Sequence, residues 1–150
     1  MSVSVDVEWD TTPEELSRSL QKFLDILMDE VERAVGDIAL LIEREAKKRA
    51  PVDTGTLRAS IGHVVNAIGE GYFEAIIGTN VEYAPAVEFG RGPVTADGKA
   101  LKFTVDGETI FRKSVGPAKA QPFLGPALHA AEGEINDRLQ AAVSRAKRRA

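Results

Sequence analysis

The run with the most obvious chemical potential is Val52-Asp53-Thr54-Gly55. Asp-Thr-Gly is the triplet with which aspartic proteases set two carboxylates across a dimer, where they share a proton and activate water. Ala75-Ile76-Ile77-Gly78 looks like the apolar-glycine element of the retroviral type. The context argues against this chemistry. The triplet follows a long helical pattern instead of a strand, and such a helix has no place in an all-β protease. Thr56 follows Gly55 where Ala or Ser is preferred, and the apolar-glycine element arrives too soon. Asp53 as a turn-former accounts for the same residues, with an Asx-type acceptor followed by a glycine free to take positive φ.

Other reactive groups are sparse. There is no cysteine, which excludes disulfides, thiolate zinc sites and a cysteine nucleophile. His63 and His129 are too few for a three-histidine metal site, and both are read as packing or capping residues. Glu43 and Glu45 fall on different helix faces, and Glu70 and Glu74 have no partner histidine. Gly69-Glu70-Gly71 is not a dinucleotide loop, because Glu74 stands where the third glycine belongs. No phosphate-binding GxxxxGK[ST] run occurs, and no serine sits in a G-x-S-x-G elbow. The expectation is no catalytic residue, no metal and no cofactor.

The elements that would position any site follow from periodicity. Val3, Val5, Val7 and Trp9 alternate with polar residues as a half-buried strand does, giving an N-terminal arm over 1–12. Thr12-Pro13-Glu14-Glu15 reads as a helix start with a capping box. Leu16, Leu20, Phe23, Leu27, Val31, Val35, Ile38, Ile42 and Ala46 then form one apolar stripe, and Pro51 stops the helix. A strand is expected around 57–65 and another around 72–77, joined by Gly69-Glu70-Gly71. Tyr83 to Phe89 reads as a helical turn or tight loop. A basic hairpin over 99–115, with Lys99, Lys102, Arg112 and Lys113, turns at Asp106-Gly107. A last helix begins from Pro122, with Leu124, Leu128, Ala131, Ile135, Leu139, Ala142 and Ala146 on one face, and ends in a basic tail over 144–150. Two helices, one N-terminal and long, one C-terminal, packed on a small antiparallel sheet with a protruding hairpin make a single α+β domain of 150 residues.

Charge is unevenly placed. Residues 1–45 carry 12 acids and 4 bases, a net of −8, and residues 46–150 carry 11 acids and 15 bases, a net of +4, summing to −4. The chain as a whole is no polycation. One acidic and one basic end can complement other copies head to tail, and such contacts close into rings when the rotation allows; a solvated helix face is the plainer account of the acids. No apolar run is long enough for a membrane span, and MSVSVDVEWD lacks the basic flank and apolar core of a signal peptide, so synthesis in the cytoplasm and no membrane partner are expected.

Three stretches carry a resemblance. Ala50-Pro51-Val52-Asp53-Thr54-Gly55-Thr56-Leu57-Arg58-Ala59-Ser60, then Val81-Glu82-Tyr83-Ala84-Pro85-Ala86-Val87-Glu88-Phe89-Gly90, then Ala120-Gln121-Pro122-Phe123-Leu124-Gly125-Pro126-Ala127-Leu128 appear in this order. Together they resemble the small tail components of long-tailed bacteriophages, the head–tail joining or tail-completion proteins. The resemblance spans residues 13–145, and the hairpin resembles an insertion found in many members. It implies a non-enzymatic virion protein at the head–tail junction, assembled as a ring commonly of six copies. Its partners would be its own copies, adjacent head-closure or stopper proteins, tail-terminator or tail-tube proteins, and double-stranded DNA in passage.

Assembly contacts are then expected at Pro51, Asp53, Thr54, Gly55, Leu57, Arg58, Tyr83, Glu88, Phe89, Pro122 and Phe123, and at the hairpin residues Lys99, Lys102, Arg112 and Lys113. Core packing is the preferred account of Leu57, Ile61 and Phe123. For Tyr83 and Glu88, core and interface stand level, with Glu88 placed to cap a turn or to pair with Arg91 or Arg58. A tail-terminator ring is the alternative, and a DNA-binding module using Arg145, Lys147, Arg148 and Arg149 a further one. No aromatic residue lies among those terminal bases to stack on a nucleobase.

Overall fold

A computed structural model of the chain describes residues 10–69, 71–98, 100–105 and 107–150, with the backbone alone at 103–105. The expected strand at Val3–Trp9, Lys99 and the Asp106 turn position lie outside the described residues.

Helix α1 runs Pro13–Arg49 without interruption, about 55 Å at 1.5 Å per residue. Its start is the expected capping box. The Thr12 hydroxyl accepts from the Glu15 backbone N–H at 3.2 Å, and the Glu15 carboxylate accepts from the Thr12 N–H at 3.0 Å. Helix α4 spans Leu124–Arg149 and lies antiparallel to α1, with the Lys22 ammonium 3.3 Å from the Ala150 carbonyl. Alanines dominate the seam: Ala34, Ala39 and Ala46 on α1, and Ala127, Ala131, Ala142 and Ala146 on α4, are all buried. Small side chains let two helix backbones approach closely, so the pair excludes water with little side-chain bulk.

Three corrections to the expected faces follow. Leu128 is 48% exposed, and Ala127 takes the buried position in its place. Leu16 and Leu20, the first residues of the expected stripe, are exposed because α4 ends level with Lys22. His129 is neither packed nor capping; it stands on the solvent face beside Glu132 at 2.9 Å.

The chain after α1 is also partly re-drawn. Leu57–Ser60 is not strand. Thr56–Ser60 forms a helical turn, α2, entered through Gly55 at φ +82°. Leu57 and Ile61 are four residues apart and both buried, the spacing of one helical face. Strand β1 is Gly62–Gly69 and pairs antiparallel with β2, Tyr72–Gly78, through the register Val64↔Ile76 and Asn66↔Glu74. One face of this pair lies against α1 and the other is open, with Val64, Ile68, Tyr72 and Ile76 exposed. Helix α3 is Ala84–Phe89.

Among the described residues the sheet is not one unit but three two-stranded pieces. β3 (Val94–Thr95) pairs with β6 (Ser114–Val115), and β4 (Leu101–Val105) pairs with β5 (Glu108–Arg112). Stacked in sequence, these make one long arm whose base is the antiparallel bridge between Arg91 and Ala118. The core is one cluster at the other end of α1 from its N-terminus, where Ile38, Ile42, Ala46 and Ala50 meet Leu57, Ile61, Ala84, Phe123, Ala127 and Ala131.

Candidate functional site

The three sequence motifs converge around α3. Pro51, Asp53, Thr54, Gly55, Leu57, Tyr83 and Gln121 line one open groove of about 470 Å³. On the other side of α3, Val81, Pro85, Glu88, Phe89, Phe123 and Leu124 line a more apolar pocket of about 530 Å³. Segments separated by 20 or more residues thus become one surface at the end of the helix pair.

Glu88 explains how. It is a buried carboxylate at the end of α3, and it accepts three backbone N–H groups from the start of α4. Phe123 donates at 2.7 Å and Leu124 at 3.0 Å to Oε2, and Gly125 donates at 2.9 Å to Oε1. Phe123 occupies the cap position of α4 and supplies no side-chain acceptor. The orphan N–H groups of the helix are therefore satisfied from a distant acid, which also meets the positive end of the helix dipole. Burial alone would raise the Glu88 carboxyl; the donors from Phe123, Gly125 and Leu124 outweigh it and hold it below the ordinary carboxylate range. Glu88 takes the capping role weighed for it, on a helix 35 residues away rather than on a local turn or on Arg91 or Arg58.

Leu57 and Phe123 are buried in the core, Phe123 completely. Asp53, Thr54, Arg58, Tyr83, Phe89 and Pro122 face solvent, while Pro51 and Gly55 are half-buried. Phe89 is 81% exposed, an unusual position for a large apolar ring. At the turn, the hydroxyl of Thr54, not the Asp53 carboxylate, accepts the Thr56 N–H at 3.4 Å and bonds the Thr56 hydroxyl at 2.9 Å. Lys102, Arg112 and Lys113 are exposed along the arm.

A second cluster was not legible in the sequence. Glu30, buried on α1, bonds Arg145 at 2.7 Å and Arg149 at 2.5 Å, both from α4. Arg145 first and Arg149 second hold its carboxyl below the usual range. Two of the four terminal bases are thus engaged in joining the helices. On the other side of α1, Glu43 bonds Lys47 and His63, and both lower its carboxyl, Lys47 more. No group of three or more His, Asp or Glu with metal-binding geometry occurs among the described residues. No helix of the described residues is long and apolar enough to cross a membrane.

The described residues thus present a helix pair, two grooves, an open sheet face and an arm with exposed bases. A family model described as "Bacteriophage HK97-gp10, putative tail-component" matches residues 14–90, just over half of the chain. The chain belongs to this HK97-gp10-like family, and its class is that of a structural component of a bacteriophage tail. The match closes at Gly90, the residue before the arm, and takes in the first two motifs. No curated protein and no solved structure shows a significant match to the chain.

Proposed function

We propose that the protein is a non-enzymatic ring subunit at the neck of the virion, joining the DNA-filled head to the tail. Six copies would surround the DNA passage, between the head-closure or stopper ring and the tail-terminator or tail-tube proteins. Membership in a phage tail-component family is the observation that carries this reading. The layout of the molecule supports it. The motif grooves and the base of the arm lie at one end of the helix pair, and the first turn of α1, with Glu14 and Glu15, lies at the other. Unlike surfaces at opposite ends favour heterologous contacts, which close into rings.

Electron microscopy of particles made without this protein tests the proposal. Full heads beside separate, normal-length tails are expected. Overlong or unstable tails would place the protein as a tail terminator instead. A protein absent from the junction of intact particles, or present there as one copy, would refute the ring.

A further inference from the structure

The geometry points to a specific contact between copies: the tip of the arm, β4 and β5, lays its Phe111 face across the open face of the β1–β2 hairpin of the next copy. The inference rests on the ring reading and names two surfaces that would make the ring.

Strand register fixes what each face carries. Cross-strand partners point to one side, and successive residues along a strand point to opposite sides. On the hairpin, Val64 stands opposite Ile76 and Asn66 opposite Glu74, and Tyr72 shares their face. These residues are exposed, Tyr72 by 74%, while the other face lies against α1. On the arm, Lys102 stands opposite Phe111, and Thr109 shares their face. These too are exposed, Phe111 by 62%. Leu101, Glu108, Ile110 and Arg112 fall on the arm's other face. Each surface therefore joins apolar side chains to one charge, Glu74 on the hairpin and Lys102 on the arm. Their lengths also suit one another. The seven residues of β2 span about 24 Å and the five of β5 about 17 Å. Sheets of this kind stack face to face about 10 Å apart, with side chains interdigitated.

Charge selects the arm of a second copy as the cover. Residues 59–90 contain Glu70, Glu74, Glu82 and Glu88 and no Lys or Arg. Glu88 is engaged by α4, whereas Glu74 and Glu82 are exposed. Residues 91–119 carry Arg91, Lys99, Lys102, Arg112, Lys113 and Lys119 against Asp97, Asp106 and Glu108, a net of +3. Two hairpin faces packed together would oppose Glu74 to Glu74, and two arm faces Lys102 to Lys102. Only the mixed pair sets opposite charges together, and like-charge juxtaposition suppresses the other two. Residues 1–9 are the competing cover. They hold Asp6 and Glu8 and no Lys or Arg, so they share the sign of Glu74. In its own chain the arm does not cover the face: β4 and β5 pack on each other, and Val64, Tyr72 and Ile76 stay exposed.

The absence of cysteine makes the test clean. Asn66→Cys and Thr109→Cys, both at exposed positions on the two faces, leave Glu74, Lys102 and Phe111 in place. They are made in separate full-length chains and mixed under an added copper–phenanthroline oxidant, in concentrated solution and in lysates containing particles. The expected product is a mixed disulfide dimer, and a chain carrying both substitutions gives a ladder of higher species. Glu74→Lys in the first chain should cut the mixed yield at least several-fold, and Lys102→Glu in the second should restore it. Dimers linked 66 to 66 or 109 to 109 in place of the mixed product would overturn the inference. So would an intramolecular bond in the chain carrying both substitutions, a yield that ignores the charge reversals, or no mixed product in either setting. A mixed dimer from a protein absent from the neck would leave the contact standing and remove only the ring-at-the-neck reading.

Discussion

Glu88 holds the backbone N–H of Phe123 at 2.7 Å inside the protein, tying α3 to the first turn of α4. The same carboxylate takes the next two N–H groups, so removing it leaves three donors short of a partner at a buried helix start. Losing a helix cap costs about 0.5–2 kcal/mol, and a buried unsatisfied donor about 1–3 kcal/mol. Glu88→Ala should therefore destabilise the protein by about 2–4 kcal/mol. At roughly 2–4 °C per kcal/mol for a chain of this size, thermal unfolding should fall by about 5–15 °C. Glu88→Gln keeps one acceptor oxygen and should lie between. A melting temperature unchanged by Glu88→Ala would show that the cap is dispensable.

Glu30 makes the association of α1 with α4 sensitive to acid. Its carboxyl lies below the ordinary value in the folded chain because Arg145 and Arg149 donate to it. Glu43, Glu45 and Glu88 shift the same way, Glu45 to about 2 beside Lys48 and Arg49. A carboxyl lowered on folding adds stability above its unfolded value, and that stability is lost as pH falls through the folded value. Stability should hold near neutrality and decline below the ordinary carboxylate value of 4.5. Glu30→Gln should be less stable than the parent at neutral pH and converge on it in acid. Denaturant midpoints across that range measure this, and parallel curves would show that Glu30 contributes nothing to the slope.

Much of this fold was legible because it is local. Thr12, Pro13 and Glu15 marked the start of α1, and the proline at position 51 marked its end, with the observed cap at Ala50. The glycine in the Asp53-Thr54-Gly55 turn does take positive φ. The strand expected from Leu57 gave way to a helical turn because Gly55 redirects the chain; the four-residue spacing of Leu57 and Ile61 was the available signal. Glu88 at α4 and Glu30 at Arg145 depend on pairings over 35 and 115 residues, which no local pattern encodes. One hint existed. The start of α4 reads Pro122-Phe123-Leu124-Gly125, with no Ser, Thr, Asp or Asn to cap it, so the acceptor had to come from elsewhere. Lone exposed leucines at 16 and 20 look the same in sequence as core leucines, and only the length of α4 separates them.

The base of the arm depends on Gly90. Its φ is +75°, and a Cβ there would meet the Ala118 carbonyl oxygen at 2.9 Å and the Ala120 nitrogen at 3.0 Å. Both contacts are backbone, so neither can rotate away. Gly90→Ala should cost more than about 1 kcal/mol from the backbone conformation alone, and should loosen the Arg91–Ala118 bridge. Gly92, two residues on, has open space around it and an ordinary φ, so Gly92→Ala is the matched control. Amide exchange at Arg91 and Ala118, bonded at 3.0 and 2.9 Å, should accelerate in the first variant only. Equal effects from both substitutions would mean that the close approach is not what holds the arm.

The arm is separable from the core, and that separates stability from assembly. No described residue of 99–114 belongs to the buried cluster around Phe123 and Ile42. The Arg91–Ala118 bridge closes the chain below the arm, so the body retains its own hydrogen bonds when the tip is removed. Deleting 99–114 should leave the melting temperature within about 2–4 °C, the shift of a change near 1 kcal/mol. Head–tail joining, followed by plaque yield and by micrographs of separate heads and tails, should nevertheless fail. Reversing the exposed bases alone, with Lys102→Glu, Arg112→Glu and Lys113→Glu, should reduce joining in part and leave the fold intact, because exposed charges steer association far more than they stabilise a monomer. Normal joining by the deletion would assign the contact to the motif grooves and remove the arm from the interface; loss of folding would show that the arm belongs to the body after all.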